Sequence, residues 1–343
     1  MMIRYIVKRV AYMLGVLVLL SLLIFLVYNL LPIDKAADMA MQEIANNKNL
    51  NYAERYLYWQ RRYGLDGGLF LRYLRWVGVA PFYDGGYNGL LQGNFGTSIM
   101  HGKPVLEVVK QPLLNTLILN LFAAALALAI TIPLGVFCAR KRGSRRDTAV
   151  QIGTIIGYSM PAFIIAILFI WLFAIQLDIF PVSGMTSVGK EYVGFRAFLD
   201  KLYHFALPLI VMTFCSLGGM TRYVRASMTD ALHLDCIRTA RAKGLKESTV
   251  VRTHAFRNAL IPIVSLVIGW LISVFSGSIM IENIFGINGI GKVYFEALVA
   301  NDNEIALAMQ MFYIFLALVG NLLVDVAYGL VDPRIRVSEG GNG

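Results

Sequence analysis

Charge is scarce in this sequence. Asp, Glu, Lys and Arg make up 15% of its 343 residues, while hydrophobic residues make up 57%. A soluble globular domain carries about 25% charged residues, so the composition excludes a soluble fold and indicates a polytopic membrane protein. Cysteine is nearly absent. Cys138, Cys215 and Cys236 are an odd number without paired spacing, which excludes a disulfide framework or a cysteine zinc site. The four histidines, at 101, 204, 233 and 254, show no ligand spacing either. Acids are almost missing from the apolar runs, which removes the paired intramembrane carboxylates of an ion-coupled secondary transporter. The serines in those runs have no histidine base beside them, His204 standing at a helix entrance, so the nucleophile–base pair of an intramembrane enzyme is lacking. A complete phosphate-binding loop is lacking too. GINGIGKV at 286–293 nearly matches GxxxxGK[ST], but Val293 stands where a hydroxyl must hold magnesium, and the segment reads as a turn between helices.

What is present is a series of long apolar runs. The first, from about Val10 to Leu31, follows Arg4, Lys8 and Arg9 and is long enough to cross a hydrocarbon core of about 30 Å. It is too long for a signal peptide and ends at Leu31-Pro32, so it reads as an uncleaved anchor. Further runs near 113–138, 149–176, 204–226, 258–281 and 304–330 bring the expected number of spans to six. Pro133, Pro161 and Pro208 fall within them, as membrane helices tolerate. Gly153 and Gly157 form a GxxxG whose ordinary meaning is close helix packing. Residues 33–112 are polar and rich in aromatics, with Tyr56, Trp59 and Tyr63 at helical spacing. Two short amphipathic helices and a Gly-rich loop are expected there, the aromatics lying at the membrane interface or forming a small external subdomain.

Six spans put both termini on one side. The segments 1–9, 139–147, 222–257 and 331–343 carry 18 of the 31 Lys and Arg and only 7 of the 21 acids, Asp325 near the end of the last run included. One side is therefore net +11 and the other −1, and the positive side is the cytoplasmic one. The overall +10 thus follows from membrane topology and needs no nucleic acid. Asp325, so close to a span end, reads as an interfacial or capping residue before it reads as a proton relay.

The cytoplasmic stretch 238–262, RTARAKGLKESTVVRTHAFRNALIP, carries Arg238, Arg241, Lys243, Lys246, Arg252 and Arg257 against one acid, Glu247. It is helix-prone, Gly244 can break a helix, and Pro262 suits the first turn of a new one. A short helix, a glycine turn and a second helix re-entering the membrane are expected, an element on which something outside the membrane could push.

Here the sequence resembles a known family. RTARAKGL at 238–245 followed by HAFRNALIP at 254–262 is similar to the cytoplasmic signature loop of binding-protein-dependent ABC importer permeases, in the dipeptide/oligopeptide/nickel branch. Arg238, Thr239 and Ala240 stand where the general motif has Glu-Ala-Ala, a departure that itself resembles the peptide branch. YGLD, YLRW, GNFGTS and GKPVLEVV resemble that branch's external segment, IENIFGINGIG at 281–291 resembles its VETIF…PGIG segment, and the likeness runs on to LVDPRIR at 330–336.

The resemblance implies an all-α polytopic membrane protein with six transmembrane helices and the type I ABC importer permease fold. Residues 1–31 would form the cytoplasmic start and first helix, 32–112 an external segment, 113–337 a five-helix core containing the cytoplasmic loop 222–257, and 338–343 a cytoplasmic tail. It implies a location in the bacterial or archaeal cytoplasmic membrane. It also implies a second homologous permease subunit, two ATPase subunits and an external solute-binding protein, with ATP and magnesium on those partners and no cofactor in this chain. Arg238, Thr239, Ala240, Arg241, Ala242, Lys243, Gly244, Leu245 and Glu247 would couple to the ATPase. Short peptides are the cargo the branch suggests, with nickel, glutathione or sugar oligomers as alternatives. Small and polar positions in the spans, Ser159, Pro161, Ser216, Ser273 and Ser276, are cargo-path candidates, though such residues more often serve packing. Glu282, just past the fifth run, is a further candidate whose plainer reading is a solvated surface acid.

Overall fold

The computed structural model describes residues 2–32 and 34–331, and apart from one antiparallel bridge between Thr97 and Pro104 its regular elements are helical, a 3₁₀ turn over Leu90–Gln92 among them. In chain order the α-helices are α1 (Met2–Leu30), α2 (Lys35–Asn46), α3 (Tyr52–Arg62), α4 (Leu69–Val77), α5 (Val105–Arg140), α6 (Arg145–Ser159) and α7 (Ala162–Phe169, continued as a π-helix over Ile170–Gln176). Then follow α8 (Phe195–Leu232), α9 (Asp235–Ala242), α10 (Glu247–Thr249, continued as a π-helix over Val250–Ala255), α11 (Phe256–Ser273), α12 (Ile279–Ile284), α13 (Ile290–Val299) and α14 (Asn303–Val331).

Among the described residues four helices are long and apolar enough to cross a membrane: Ile6–Leu30, Val105–Arg140, Phe195–Leu232 and Asn303–Val326. The 38 residues of α8 reach about 57 Å at 1.5 Å per residue. That is nearly twice the hydrocarbon thickness of about 30 Å, so its charged end, Arg222 to Asp230, extends beyond the apolar layer.

Two expected spans take other forms. The run 149–176 is not one straight helix, for α6 and the α7 segment meet at 105°. The cause is local. Pro161 has no N–H and forces its predecessor out of the helical region, and Met160 accordingly has ψ 136°. The run 258–281 is likewise interrupted. Its helix begins at Phe256, so Pro262 lies inside α11 and not in a first turn, and it ends at Ser273. Four long helices and one bent pair are therefore what the described residues contain, against six expected spans.

The chain divides into two compact units. Of the described residues, one takes 2–6, Gln111–Phe295 and 316–331. It holds two apolar clusters. Leu119, Ile165, Leu207, Val211, Ile281 and Phe285 build one, and Val224, Met228, Ile237, Val250, Val251 and Ile263 build the other. A partly buried ion pair joins α6 to α8: Arg225 donates to both oxygens of Asp147, at 2.8 and 2.7 Å.

The other unit takes Val7–Lys110 and Glu296–Phe315. Three amphipathic helices, not the expected two, occupy the polar stretch. The missed one is α2, which Asp34 caps by accepting from Ala36 N and Ala37 N at 3.0 and 3.2 Å. The aromatics pack on one another: Phe25 lies edge-on to Tyr73 at 5.5 Å and against Trp76 at 5.4 Å. Arg75 is pinned by Asp66 Oδ1 at 2.8 Å and by the carbonyl of Pro81 at 3.0 Å. Asp302, fully buried, accepts from Ser98 Oγ and from Met100 N.

Candidate functional site

α9 is two turns of helix with two different faces. Ile237 and Ala240 are buried and join the cluster of Val224, Met228 and Ala231 on α8. Arg238, Thr239, Arg241, Ala242, Lys243, Gly244, Leu245 and Glu247 are exposed. Of the nine residues expected to couple, Ala240 alone faces inward, where it packs as part of the foot on which the helix stands.

The turn after α9 is built on glycine. Gly244 has φ +74°, a left-handed conformation that side chains resist. Leu245 N donates to Ala240 O at 3.4 Å and Gly244 N to Arg241 O at 2.9 Å, the paired bonds of a Schellman closure. Past it, Val250 and Val251 plunge back into the cluster through the π-helical turn, and the chain continues directly into α11. The expected short helix, glycine turn and second helix are thus present.

Charge on the exposed face is unevenly committed. Arg241 holds Glu247 with two hydrogen bonds, 2.8 and 3.2 Å. This keeps the Glu247 carboxyl below its ordinary range, the hydrogen bond from Arg241 being the chief cause. Arg238 reaches Asp235 at 3.2 Å. Among the described residues Lys243 and Lys246 have no ion-pair partner. Beside this element Tyr223, Ser227, Asp230, Leu234, Asn258 and Pro262 line a cavity of about 410 Å³.

Among the cargo-path candidates only Ser273 and Ser276 are joined by a hydrogen bond that the described residues show. Ser159 and Pro161 are exposed at the 105° bend. Ser216 Oγ donates to Met212 O and Ser273 Oγ to Trp270 O, both satisfied within their own helices. Ser276 is exposed past the end of α11, its N–H bonded to Ser273 O at 3.0 Å.

Glu282 is not the solvated acid expected. It is 1% exposed, and its carboxylate accepts from Thr116 Oγ1 at 2.8 Å, Lys292 N at 2.9 Å and Ser278 N at 3.3 Å. Gly289 and Gly291 lie against it, and a Cβ on Gly289 would stand 2.4 Å from the Glu282 carboxyl carbon. α5 supplies one of these bonds, through Thr116, and holds the same segment at two further places. Asn115 Nδ2 donates to Asn288 O at 2.8 Å, and Asn120 Nδ2 to Val274 O and Ser276 O at 2.7 and 2.9 Å. Three polar residues inside an apolar run were the signal for this wall, and composition alone does not say what they face.

Comparison with known proteins decides what this framework belongs to. Residues 131–337, which include all of α9 and its turn, match the family described as binding-protein-dependent transport system inner membrane component. The chain belongs to that family. This permease is the membrane component of an ABC system, a multi-pass inner-membrane transport subunit and not itself an enzyme. It is 34% identical to the oligopeptide transport system permease protein AppB of Bacillus subtilis, over 98% of this chain and all of that one. A putative peptide permease protein of Brucella ovis is 31% identical, again over 98% of this chain and all of that one. Among solved structures, an inward-facing MetNI methionine ABC transporter is similar at 16% identity and a TM-score of 0.49, covering 65% of this chain and 97% of that chain.

Two elements of the permease escaped the sequence reading. The ARKRGSRRD loop counted there only as charge. In the structure its Asp147 is 2% exposed and holds Arg225, while Ser144 caps α6 by accepting from Asp147 N at 3.2 Å. The second is the α5 wall around Glu282, where Thr116 both donates to Glu282 and accepts from Ile290 N at 2.9 Å.

Proposed function

We propose that this permease imports short peptides, and that α9 with its glycine turn is the element on which an ATPase subunit pushes. The observation that carries the cargo assignment is the near end-to-end likeness to an oligopeptide permease, 34% identity over 98% of this chain. The coupling assignment rests on the two-faced α9: an apolar foot buried against α8 and an exposed, cation-rich top.

In this reading the chain crosses the cytoplasmic membrane six times with both termini inside, α11 and the segment beyond it forming the fifth crossing and residues 32–112 lying outside. A second homologous permease, two ATPase subunits and an external binding protein complete the assembly, with ATP and magnesium held by the ATPases. The binding protein delivers cargo to the outer face. ATP closes the ATPase dimer, α9 is carried with it, and the buried foot of Ile237, Ala240, Val250 and Val251 passes the displacement to α8 and α11. The cavity between the spans then changes from outward to inward access.

Lys243 and Lys246 make the polar contacts with the motor, since Arg241 is already engaged by Glu247. The test of cargo is uptake of a labelled tetrapeptide by cells with and without this chain, with nickel uptake in parallel. Loss of peptide uptake alone supports the reading. Loss of nickel uptake alone moves the assignment to the metal carriers of the same family.

A further inference from the structure

The unit formed by Val7–Lys110 and Glu296–Phe315 contains a cavity of about 1130 Å³ whose walls are not equally committed. Most of its acids are already in use. Lys35 holds Glu304, and Asp34 caps α2 and accepts from the Tyr56 hydroxyl. Three guanidinium groups are left over. Arg61 stands 4.7 Å over the Tyr83 ring, Arg62 has only a 3.4 Å approach to the Tyr58 hydroxyl, and Arg72 has a buried Nε with no hydrogen-bond partner. Among the described residues none of the three has a carboxylate within ion-pair distance. A buried guanidinium N–H without an acceptor is unfavourable, and with Arg61 and Arg62 exposed beside it the three cations make a site suited to an anion.

The position of the cavity says which anion. Phe25 and Leu31, at the end of the first membrane-crossing helix, form part of its wall. On the face of α1 that carries Phe25 and Tyr28, Val7, Leu14 and Val18 are exposed further down the helix, an apolar strip of the kind acyl chains cover. The cavity therefore opens where α1 leaves the hydrocarbon, at the level of lipid headgroups. Guanidinium groups pair with phosphate through two parallel hydrogen bonds. The volume is above the roughly 300–1,000 Å³ of drug-sized sites and far more than inorganic phosphate fills.

We infer that this cavity binds the headgroup of an anionic phospholipid, the phosphate meeting Arg61, Arg62 and Arg72 and the acyl chains running along α1. Lipid binding there does not depend on which cargo the permease carries.

The test is native mass spectrometry of the full-length chain in neutral detergent, titrated with phosphatidylglycerol, phosphatidylcholine or inorganic phosphate. One phosphatidylglycerol should be retained per chain, with at least tenfold weaker retention in the R61Q/R62Q/R72Q variant and no change in R55Q, whose guanidinium pairs with Glu43 elsewhere. If the triple variant does not elute as a single folded species, R72Q alone carries the comparison. Equal retention by the Arg72 variant and the parent overturns the site, and so does equal retention of phosphatidylcholine. Displacement of the lipid by millimolar phosphate reassigns the cavity to the free ion. Loss of labelled tripeptide binding in the same variant, with lipid retention intact, reassigns it to cargo.

Discussion

Thr116 donates its hydroxyl to Glu282 at 2.8 Å, joining two residues 166 positions apart in sequence, and both are buried. The carboxylate gathers the 278–292 segment: Ser278 N, Lys292 N and Thr116 all point into it. Removing it leaves three donors without an acceptor.

Glu282→Ala should therefore lower the stability of the permease by roughly 3 kcal/mol, the order expected when a buried, hydrogen-bonded charge is lost. Thr116→Val should cost less, about 1–2 kcal/mol, because it strands one N–H and one carboxylate bond. The double variant should cost less than the sum of the two, since they share one network. Denaturation midpoints of the four proteins check this, and strict additivity would contradict the described contact.

The ion pair between Arg225 and Asp147 predicts an asymmetry. Asp147 is 2% exposed and takes both hydrogen bonds of the guanidinium. Replacing Asp147 by Asn leaves a half-buried cation without its partner and should destabilise by about 3 kcal/mol. Replacing the pair together, Asp147→Leu with Arg225→Met, should recover most of that loss, because desolvation of both charges disappears at once. Expression level and thermal midpoint in detergent report both outcomes.

Much of this architecture was legible in the sequence, and the failures have a common cause. Apolar runs located the long helices because a span needs little beyond length and hydropathy. The α9 turn was legible because Gly244 needs φ +74° and the flanking pattern is local. The bend at Met160–Pro161 was half visible: a proline permits a kink, but 105° depends on packing of both arms. Glu282 was misread because its burial comes from Thr116 and from the 289–292 backbone, contacts no local window contains. α2 was missed because its buried side is made of Ala36 and Ala40, too small to register as an apolar stripe.

The Arg241–Glu247 pair carries a pH dependence with a definite sign. The folded-state carboxyl lies below its ordinary value, so the pair stabilises the α9 turn above the unfolded pKa of about 4.3 and loses that contribution as pH falls through the lowered folded value. Both side chains are about half exposed, and solvent screening limits the effect to under about 1 kcal/mol. Amide protection factors in residues 241–249, corrected for the intrinsic base-catalysed rate, should thus be flat between pH 6 and 8, because the Glu247 carboxyl, lowered by its hydrogen bond from Arg241, is already ionised there. Glu247→Gln should speed that exchange only slightly, and less still at high salt.

Lys243 and Lys246 are exposed at the end of α9 and have no ion-pair partner among the described residues. Lys243→Glu with Lys246→Glu should weaken capture of the ATPase subunits several-fold at low salt, and by less as ionic strength rises, because exposed charges act mainly through screened steering. Arg241→Ala should weaken capture less than the lysine pair. Co-purification of the ATPase at two salt concentrations distinguishes the variants.

The central claim is that α9 transmits the ATPase stroke through a turn only a left-handed residue can make. Nothing lies within 4 Å of a Cβ placed on Gly244, so a substitution there acts through backbone conformation alone. Proline is confined to φ of about −65° and cannot adopt the observed turn. The most direct measurement is ATP hydrolysis by the reconstituted complex with and without peptide-loaded binding protein, comparing the parent chain with Gly244→Pro at equal membrane levels. The account predicts that the variant assembles in the membrane but loses the peptide-stimulated increment. Full stimulation in that variant would contradict it.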